Sequence, residues 1–237
     1  MKKYLNHNFF LFYAEKLLPI LYPLMFGSLF LGLYYVFLNS PQDYQQGNMI
    51  RIMYIHVPMA FLSLSLYFIA SIFAFINLVW RTKIAYFLCI SILPLGCCYS
   101  FLTLVTGSLW GKPIWGTYWA WDARLTSMLI MFLFYLFKTA IIYSGENLLK
   151  LEKPICVLSI IGSINVPIVK FSVNLWASLH QKSSFIRSGG VAIDKSMLTP
   201  LFIMMFFFCV YSLINIITNV FNFVNLTKSS NSIFSER

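Results

Sequence analysis

Long stretches without charged residues alternate with short polar segments along this chain. A helix needs about 20 apolar residues to cross the hydrocarbon core of a bilayer, and six stretches reach that length. They cover about residues 17–38, 53–80, 84–105, 123–143, 154–176 and 197–221. The pattern predicts an all-α integral membrane protein with six transmembrane helices. We expect one polytopic membrane domain over residues 1–227, followed by a short polar tail over residues 228–237.

Two lysines fall inside these predicted spans. Lys138 lies near one end of the fourth span, and Lys170 lies near the opposite end of the fifth. A lysine in such a position can lay its apolar stem along the helix and place its ammonium group among the headgroups. We therefore expect both ammonium groups to reach the membrane surface.

The overall composition excludes a water-soluble globule. Hydrophobic residues make up 59% of the 237 residues and charged residues only 10%, whereas a soluble domain carries about 25% charged residues. The 17 Lys and Arg residues outnumber the 7 Asp and Glu residues. In a soluble protein this excess would suggest a nucleic-acid partner. In a membrane chain it reflects topology, so we expect the lipid bilayer and no nucleic acid as a partner.

The basic residues also predict the orientation in the membrane. With six spans both termini lie on one side, and ten of the 17 basic residues lie there, against seven on the opposite side. By the positive-inside rule we expect both termini in the cytoplasm. A composition rich in Phe, Ile, Asn and Lys, without a recognisable transit peptide, favours a bacterial inner membrane, with the mitochondrial inner membrane as the alternative.

Two histidines flank one face of the predicted bundle. The connections 39–52, 106–122 and 177–196 must share a side because the span directions alternate. His56 lies a few residues inside the second span on that side, and His180 follows the fifth span. For either histidine alone, a simple hydrogen-bonding role at the membrane interface is about as common as a ligand role. As a pair, two neutral imidazoles can supply both axial ligands of a haem iron.

A zinc or cysteine-based site is less consistent with the sequence. Zinc would need further Cys, His or carboxylate ligands, and this face offers mainly Asp43, Asp122 and Asp194. The five cysteines all fall in apolar stretches, and none forms the C-x-x-C-H pattern that attaches haem covalently.

Tryptophan is concentrated between the third and fourth spans, in the segment WGKPIWGTYWAWD at residues 110–122. Four of the six tryptophans lie there with one tyrosine, namely Trp110, Trp115, Trp119, Trp121 and Tyr118. One interpretation is an aromatic belt at the headgroups, although a belt usually spreads its aromatic residues over many span ends. The other is an aromatic platform for a large planar ligand such as porphyrin, on an outer-face loop along the membrane. In that case Gly111 and Gly116 would allow close approach to the ring.

Charged side chains on the same face suit the acidic propionates of haem. The candidates are Arg51, Lys112, Arg124, Lys182 and Arg187. Each is more often an interfacial residue than a ligand contact, and the sequence does not choose among them. We expect Asp122 to hydrogen-bond to backbone groups or to a neighbouring arginine such as Arg124.

The tryptophan segment, followed by ARLTS at residues 123–127, resembles the WWD signature of haem-handling proteins. The segments DYQQG at 43–47, RIMYIHVP at 51–58 and INVPIVKFSV at 164–173 narrow this resemblance. They are similar to the haem exporter protein C (CcmC) family of the cytochrome c maturation machinery, over about residues 40–190. Tyr118 stands where the signature commonly has a second tryptophan, and it keeps an aromatic ring at that position.

The resemblance implies a six-span protein that binds haem b transiently on the outer, periplasmic face. It implies His56 and His180 as axial ligands of the iron. It further implies the haem-contacting residues Trp110, Trp115, Trp119, Trp121, Tyr118 and Asp122. The expected partners are a haem chaperone, which receives the haem, and ABC transporter subunits of the same machinery. We expect an assembly factor that delivers haem and assists its covalent attachment, and no enzyme.

Two other haem functions remain open from the sequence. One is a haem-translocating permease subunit of an ABC transporter, and the other is a lyase that attaches haem directly to cytochrome c. A transport pathway would often show a pair of broken helices, charged midplane residues or an inverted repeat, and we recognise none of these. No G-x-x-x-x-G-K-[ST] segment occurs, so an ATP-driven step would belong to a partner. Known lyases of this type are longer and carry additional spans. A membrane scaffold without haem would leave the histidines and the tryptophan cluster unexplained.

Overall fold

Helices make up nearly all of the protein. The computed structural model describes residues 7–176, 178–180 and 193–235, and within them the only strand-like pairing is an isolated bridge between Asp43 and Gly47. The helices are α1 (His7–Tyr34, continued by a π-helical turn, Tyr35–Asn39), α2 (Met53–Trp80, preceded by a 3-10 turn, Asn48–Ile52), α3 (Lys83–Trp115), α4 (Ala123–Ile142), α5 (Glu152–Ser163), α6 (Asn165–Leu175) and α7 (Lys195–Ser235). Six helical stretches are long and apolar enough to cross a membrane, which confirms the predicted six-span, all-α fold.

The third span is longer than the apolar pattern predicts. We expected it to end near residue 105 and to be followed by a loop, but α3 continues to Trp115. It ends at Gly116, which has a left-handed φ of 73° and donates its N–H to the Lys112 carbonyl at 3.0 Å. Glycine is the usual residue at this position of a helix end because it has no Cβ to oppose positive φ. The predicted outer-face loop therefore covers only residues 116–122.

The two terminal helices also extend beyond their predicted limits. α1 begins at His7 rather than near residue 17. α7 continues to Ser235, beyond the predicted end of the sixth span near residue 221 and through most of the predicted polar tail. The tail contains neither proline nor glycine, so no residue in it forces the helix to end.

The fifth span is interrupted, which the sequence analysis did not predict. α5 ends at Ser163 and α6 begins at Asn165, with Ile164 between them. Pro167 has no N–H to donate to the Ser163 carbonyl four residues earlier, and its ring opposes a regular turn there. The Asn165 side chain donates to the Ser127 carbonyl of α4 at 2.8 Å and ties the interruption to a neighbouring helix.

The centre of the bundle lies where α2 and α3 pack together and meet α4, α5 and α7. Several tyrosines are fully buried there, and their hydroxyl groups bond to other elements. Tyr135 of α4 donates to the Ser63 carbonyl of α2 at 2.8 Å. Tyr99 of α3 lies 3.0 Å from the Ser212 hydroxyl of α7. Because no water is present in the hydrocarbon layer, such bonds satisfy groups that would otherwise be costly to bury.

We expected the Lys138 ammonium group to reach the membrane surface, but it lies inside the bundle. Its side chain is fully buried, its ammonium nitrogen lies 3.2 Å from the Ser159 hydroxyl, and the same nitrogen is 4.0 Å from the centroid of the Tyr67 ring. A hydroxyl acceptor and an aromatic face together stabilise an ammonium group inside the bundle. These partners come from α5 and α2, so the sequence around Lys138 gives no sign of them. Lys170, by contrast, is exposed.

Two glycines allow the buried tyrosines to lie against neighbouring helices. A Cβ on Gly96 of α3 would lie 2.2 Å from the Tyr135 ring, and a Cβ on Gly162 of α5 would lie 2.0 Å from the Tyr67 hydroxyl. Small residues at helix contacts allow the close packing on which membrane bundles depend.

We expect Gly96→Ala to lower the thermal stability of the detergent-solubilised protein. The added methyl group overlaps the Tyr135 ring, and overpacking of this kind costs about 1–3 kcal/mol. Gly27→Ala is the matched control, since Gly27 is also helical but a Cβ there meets nothing within 4 Å. A thermal unfolding scan should separate the two variants, and equal midpoints would show that this contact does not limit stability.

Candidate functional site

One end of the bundle, where α3 finishes and α4 begins, holds the predicted site residues, and we call it the site end. The first turn of α2 contacts α3 there, with His56 Nδ1 lying 3.0 Å from Thr106 Oγ1. The start of α4 contacts the segment after α6, where the Ser178 hydroxyl donates to Asp122 Oδ2 at 2.5 Å. Both predicted histidines therefore belong to the same end, as the alternation of span directions predicts.

His56 is packed closely against α3. A Cβ on Gly107 would lie 3.0 Å from His56 Cε1, so the glycine lets the imidazole approach the helix backbone. Trp110, one turn of α3 further on from Thr106, meets the same imidazole edge to face, with ring centroids 5.6 Å apart. The Trp110 indole N–H donates to the side-chain oxygen of Gln46 at 2.5 Å.

The DYQQG segment at residues 43–47 folds into a tight turn that places Gln46. Asp43 Oδ1 accepts hydrogen bonds from the backbone N–H groups of Gln45 and Gln46, at 2.9 and 2.8 Å. Gly47, with a φ of 57°, closes the turn and donates its N–H to the Asp43 carbonyl at 2.8 Å. The turn thus orients the amide that holds Trp110.

Asp122 links the start of α4 to the segment that carries His180. As the N-cap of α4, its Oδ1 accepts the Leu125 N–H at 2.7 Å. Its Oδ2 accepts the Ser178 hydroxyl and lies 3.6 Å from His180 Nδ1. The Ser178 oxygen in turn accepts the His180 backbone N–H at 3.1 Å. One carboxylate therefore caps a helix and faces the second histidine.

The electrostatics keep His180 neutral. Burial lowers the pKa of His180 to about 4, and the positive charge of Arg124 contributes to the shift while Asp122 opposes it. Burial also opposes the ionisation of Asp122, but hydrogen bonds from Leu125 and Ser178 outweigh it, so the pKa of Asp122 lies below its usual range. At neutral pH the site end thus holds a carboxylate beside an uncharged imidazole, the form that binds metal.

The second tryptophan of the segment contacts the second histidine. The rings of Trp115 and His180 have centroids 4.7 Å apart and are inclined at 60°. Trp110 and Trp115 are five residues apart on α3, which corresponds to about 7.5 Å along the helix axis. The last turns of α3 therefore present one tryptophan to each histidine.

The other aromatic residues of the segment form a separate group beyond the helix. Trp119 and Trp121 pack edge to face, with centroids 5.4 Å apart and an interplanar angle of 78°. Trp121 is 78% exposed and Tyr118 is 56% exposed. The rings of the segment do not form one flat surface, because α3 projects the first two in different directions and the later pair adopts the edge-to-face geometry that aromatic rings prefer.

The candidate cations differ in what they contact. Lys112 donates to the Gly116 carbonyl at 2.8 Å and lies 5.0 Å from the Tyr118 ring centroid. Arg51 has a buried Nε without a hydrogen-bond partner among the described residues. Arg124 is partly buried in the first turn of α4, next to Asp122 in the chain. The other two candidates, Lys182 and Arg187, lie outside the described residues.

Thr106, Gly107, Ser178 and Gln46 belong to the site end but were not singled out from the sequence. Thr106 is 50 residues from His56, and Ser178 is 56 residues from Asp122. A helical interpretation of residues 106–115 would have identified Thr106, because it lies one turn before Trp110. Among the described residues no three His, Cys, Asp or Glu side chains cluster as a metal site would require.

Known proteins resemble this chain over most of its length. The model of the CcmC family, described as Heme exporter protein C, matches residues 1–234. Heme exporter protein C of Bradyrhizobium diazoefficiens is 45% identical over 199 residues, which cover 84% of this chain and 75% of the relative.

Relatives occur in other bacteria and in plants. Heme exporter protein C of Escherichia coli K12 is 42% identical over 162 residues, covering 68% of this chain and 65% of the relative. A putative cytochrome c biosynthesis ccmC-like mitochondrial protein of Marchantia polymorpha is 39% identical over 198 residues, which cover 83% of this chain and 82% of the relative. Together with the six membrane-crossing helices, these matches show that the chain belongs to the Heme exporter protein C family.

Proposed function

We propose that the protein binds haem at the site end, with His56 and His180 as the axial ligands of the iron, and delivers it during cytochrome c maturation. The observation that carries the proposal is that two histidines from distant parts of the chain each pack against a tryptophan of the last turns of α3. The family's name supports haem as the cargo.

The set of ligand groups suits haem iron better than zinc. Porphyrin supplies four nitrogen ligands and leaves two axial positions, which two neutral imidazoles fill. A structural zinc site would need four protein ligands, and the described residues do not provide them. His180 is neutral at pH 7, and its Nδ1 is buried without a hydrogen-bond partner among the described residues, beside the Asp122 carboxylate. A nearby carboxylate is a common support for a metal-bound histidine.

The other residues of the site end differ in how close they lie to the two proposed ligands. Trp110 and Trp115 lie against the proposed ligands and would contact the porphyrin. The Trp119 indole N–H is buried and unpaired in the part of the chain that the structure describes, and its ring packs on Trp121 and not on either histidine. For the propionates, the unpaired Nε makes Arg51 a better candidate than Lys112, whose ammonium group already has partners.

We propose that haem leaves this site to a haem chaperone, and that the protein works beside ABC transporter subunits of the same machinery. Trp121 and Tyr118 are exposed aromatic residues next to the site and suit the contact surface for the chaperone. On this account the site end faces the periplasm or its mitochondrial equivalent, both termini lie in the cytoplasm or matrix, and the protein is an assembly factor that holds haem b transiently without transforming it.

One observation favours the alternative of a haem-translocating permease. The fifth span is interrupted at Ile164, and interrupted spans occur in transporters. The break lies beside α4 and is explained by Pro167. The described residues show only one interrupted span, rather than the matched pair of an inverted repeat. The delivery function therefore remains the better supported one. No observation specifically favours the direct lyase.

The variants His56→Ala and His180→Ala should each lose most of the bound haem. Removing an axial ligand leaves the iron one strong bond short, and we expect the haem content to fall by more than about tenfold. The absorption spectrum of detergent-purified protein, with and without dithionite, measures this through the Soret band. His7→Ala is the control, since His7 starts α1 far from the site end. Normal haem content in both site variants would contradict the axial-ligand assignment.

The double variant Trp119→Ala and Trp121→Ala should separate binding from delivery. Neither ring packs against a histidine, so we expect a Soret band close to the parent's but a yield of c-type cytochrome lowered several-fold. Trp80→Ala, at the opposite end and also exposed, is the matched control. A normal cytochrome yield in the double variant would show that this aromatic pair has no part in delivery.

A further inference from the structure

One turn of α3 holds the imidazole of His56 from three directions. Thr106 contacts Nδ1 through its hydroxyl oxygen at 3.0 Å, Gly107 lies against the ring, and Trp110 packs on it edge to face. Residues 106, 107 and 110 lie close together on the helix surface because four residues complete about one turn. The contact is made between two regular helices and does not depend on a loop.

The hydrogen bonds of Thr106 determine which nitrogen of His56 carries the proton. The threonine hydroxyl has one hydrogen and lies 2.6 Å from the Leu102 carbonyl, one turn earlier in α3. A carbonyl oxygen can only accept, so the hydroxyl hydrogen is directed to Leu102. Toward His56 the Thr106 oxygen then acts as an acceptor, and Nδ1 must be the donor. A neutral His56 with its proton on Nδ1 has its free lone pair on Nε2.

Gly107 makes this arrangement possible by its size. A methyl group at that position would lie 3.0 Å from Cε1, 3.6 Å from Nδ1 and 3.9 Å from Nε2 of His56. The imidazole therefore lies close to the α3 backbone at Gly107, within hydrogen-bond distance of Thr106. Trp110 limits rotation of the ring and is fixed by its bond to Gln46.

We propose that Thr106 and Gly107 are positioning residues that keep the proton of His56 on Nδ1 and present Nε2 to the haem iron. The inference deepens the proposed function and rests on it for the role of Nε2, but the position of the proton is a property of the haem-free protein. His180 lacks an equivalent, because its Nδ1 has no hydrogen-bond partner among the described residues and lies 3.6 Å from Asp122. His56 is thus the preorganised ligand of the pair.

The direct test is the tautomer of His56 in haem-free protein labelled with ¹⁵N-histidine. NMR distinguishes a protonated from an unprotonated ring nitrogen, and a His56→Gln variant identifies the signals of His56 among the three histidines. We expect the parent to hold the proton on Nδ1. Thr106→Val, which keeps the shape but removes the acceptor, should give a mixture of tautomers, and Thr106→Ser should restore the parent pattern.

Haem titration provides the second readout. Loss of the group that orients a metal-bound histidine typically weakens metal affinity by about 10–100-fold, so we expect the Kd for haem to rise at least tenfold in Thr106→Val and to recover in Thr106→Ser. Gly107→Ala should also weaken binding, because the methyl group displaces the ring. Thr227→Val is the matched control: Thr227 lies on α7 and contacts neither histidine among the described residues, and its hydroxyl bonds to the Val224 carbonyl one turn earlier at 2.8 Å.

The outcomes separate the two proposals. A parent protein with the proton on Nε2 would overturn the assignment, and so would a Thr106→Val variant with an unchanged tautomer and unchanged haem affinity. A parent protein with the proton on Nδ1, a mixture in Thr106→Val and no haem bound by any variant would support the Thr106 contact while rejecting His56 as a haem ligand. Equal losses in Thr106→Val and Thr227→Val would show a general effect of removing a helical hydroxyl and overturn the positioning role.

Discussion

The continuation of α3 as a regular helix to Trp115 is the constraint on which the site end depends. A helix places residues three and four positions apart on one face, so Thr106 and Trp110 both meet His56. Continued for five more residues, the same helix brings Trp115 to His180. If α3 ended where its apolar run ends, near residue 105, neither histidine would have its aromatic neighbour. Gly116 then ends the helix by adopting a positive φ, and the loop that follows leads to Asp122.

Asp122 combines a folding role with a role in the site. Its carboxylate satisfies a backbone N–H at the start of α4 and also bonds Ser178 and faces His180. The geometry of the second histidine is therefore coupled to the start of a membrane helix. The two histidines are supported in different ways, since a neutral hydroxyl bonds to His56 Nδ1 at 3.0 Å, whereas a carboxylate oxygen lies 3.6 Å from His180 Nδ1. The structure thus provides one firmly positioned imidazole, His56, and a second, His180, whose Nδ1 has no hydrogen bond among the residues that the structure describes.

The hydrophobic pattern predicted the six spans because burial in lipid demands long apolar helices, and alternation of their directions placed both histidines at one end. It did not predict the helical form of residues 106–115, because Gly, Pro and Trp in that segment are equally typical of an interfacial loop. Pro167 was visible in the sequence, yet a proline alone does not tell whether a span bends or breaks. The burial of Lys138 and the contact of Thr106 with His56 depend on residues from other helices. Local sequence carries no signal for such tertiary pairs.

We propose that both histidines bind one haem iron at the site end. The decisive measurement is pulsed electron paramagnetic resonance of the ferric, haem-loaded protein labelled with ¹⁵N-histidine. Two axial histidines should give a low-spin ferric signal with hyperfine couplings from two histidine nitrogens. A high-spin signal, or coupling to a single histidine nitrogen, would contradict it.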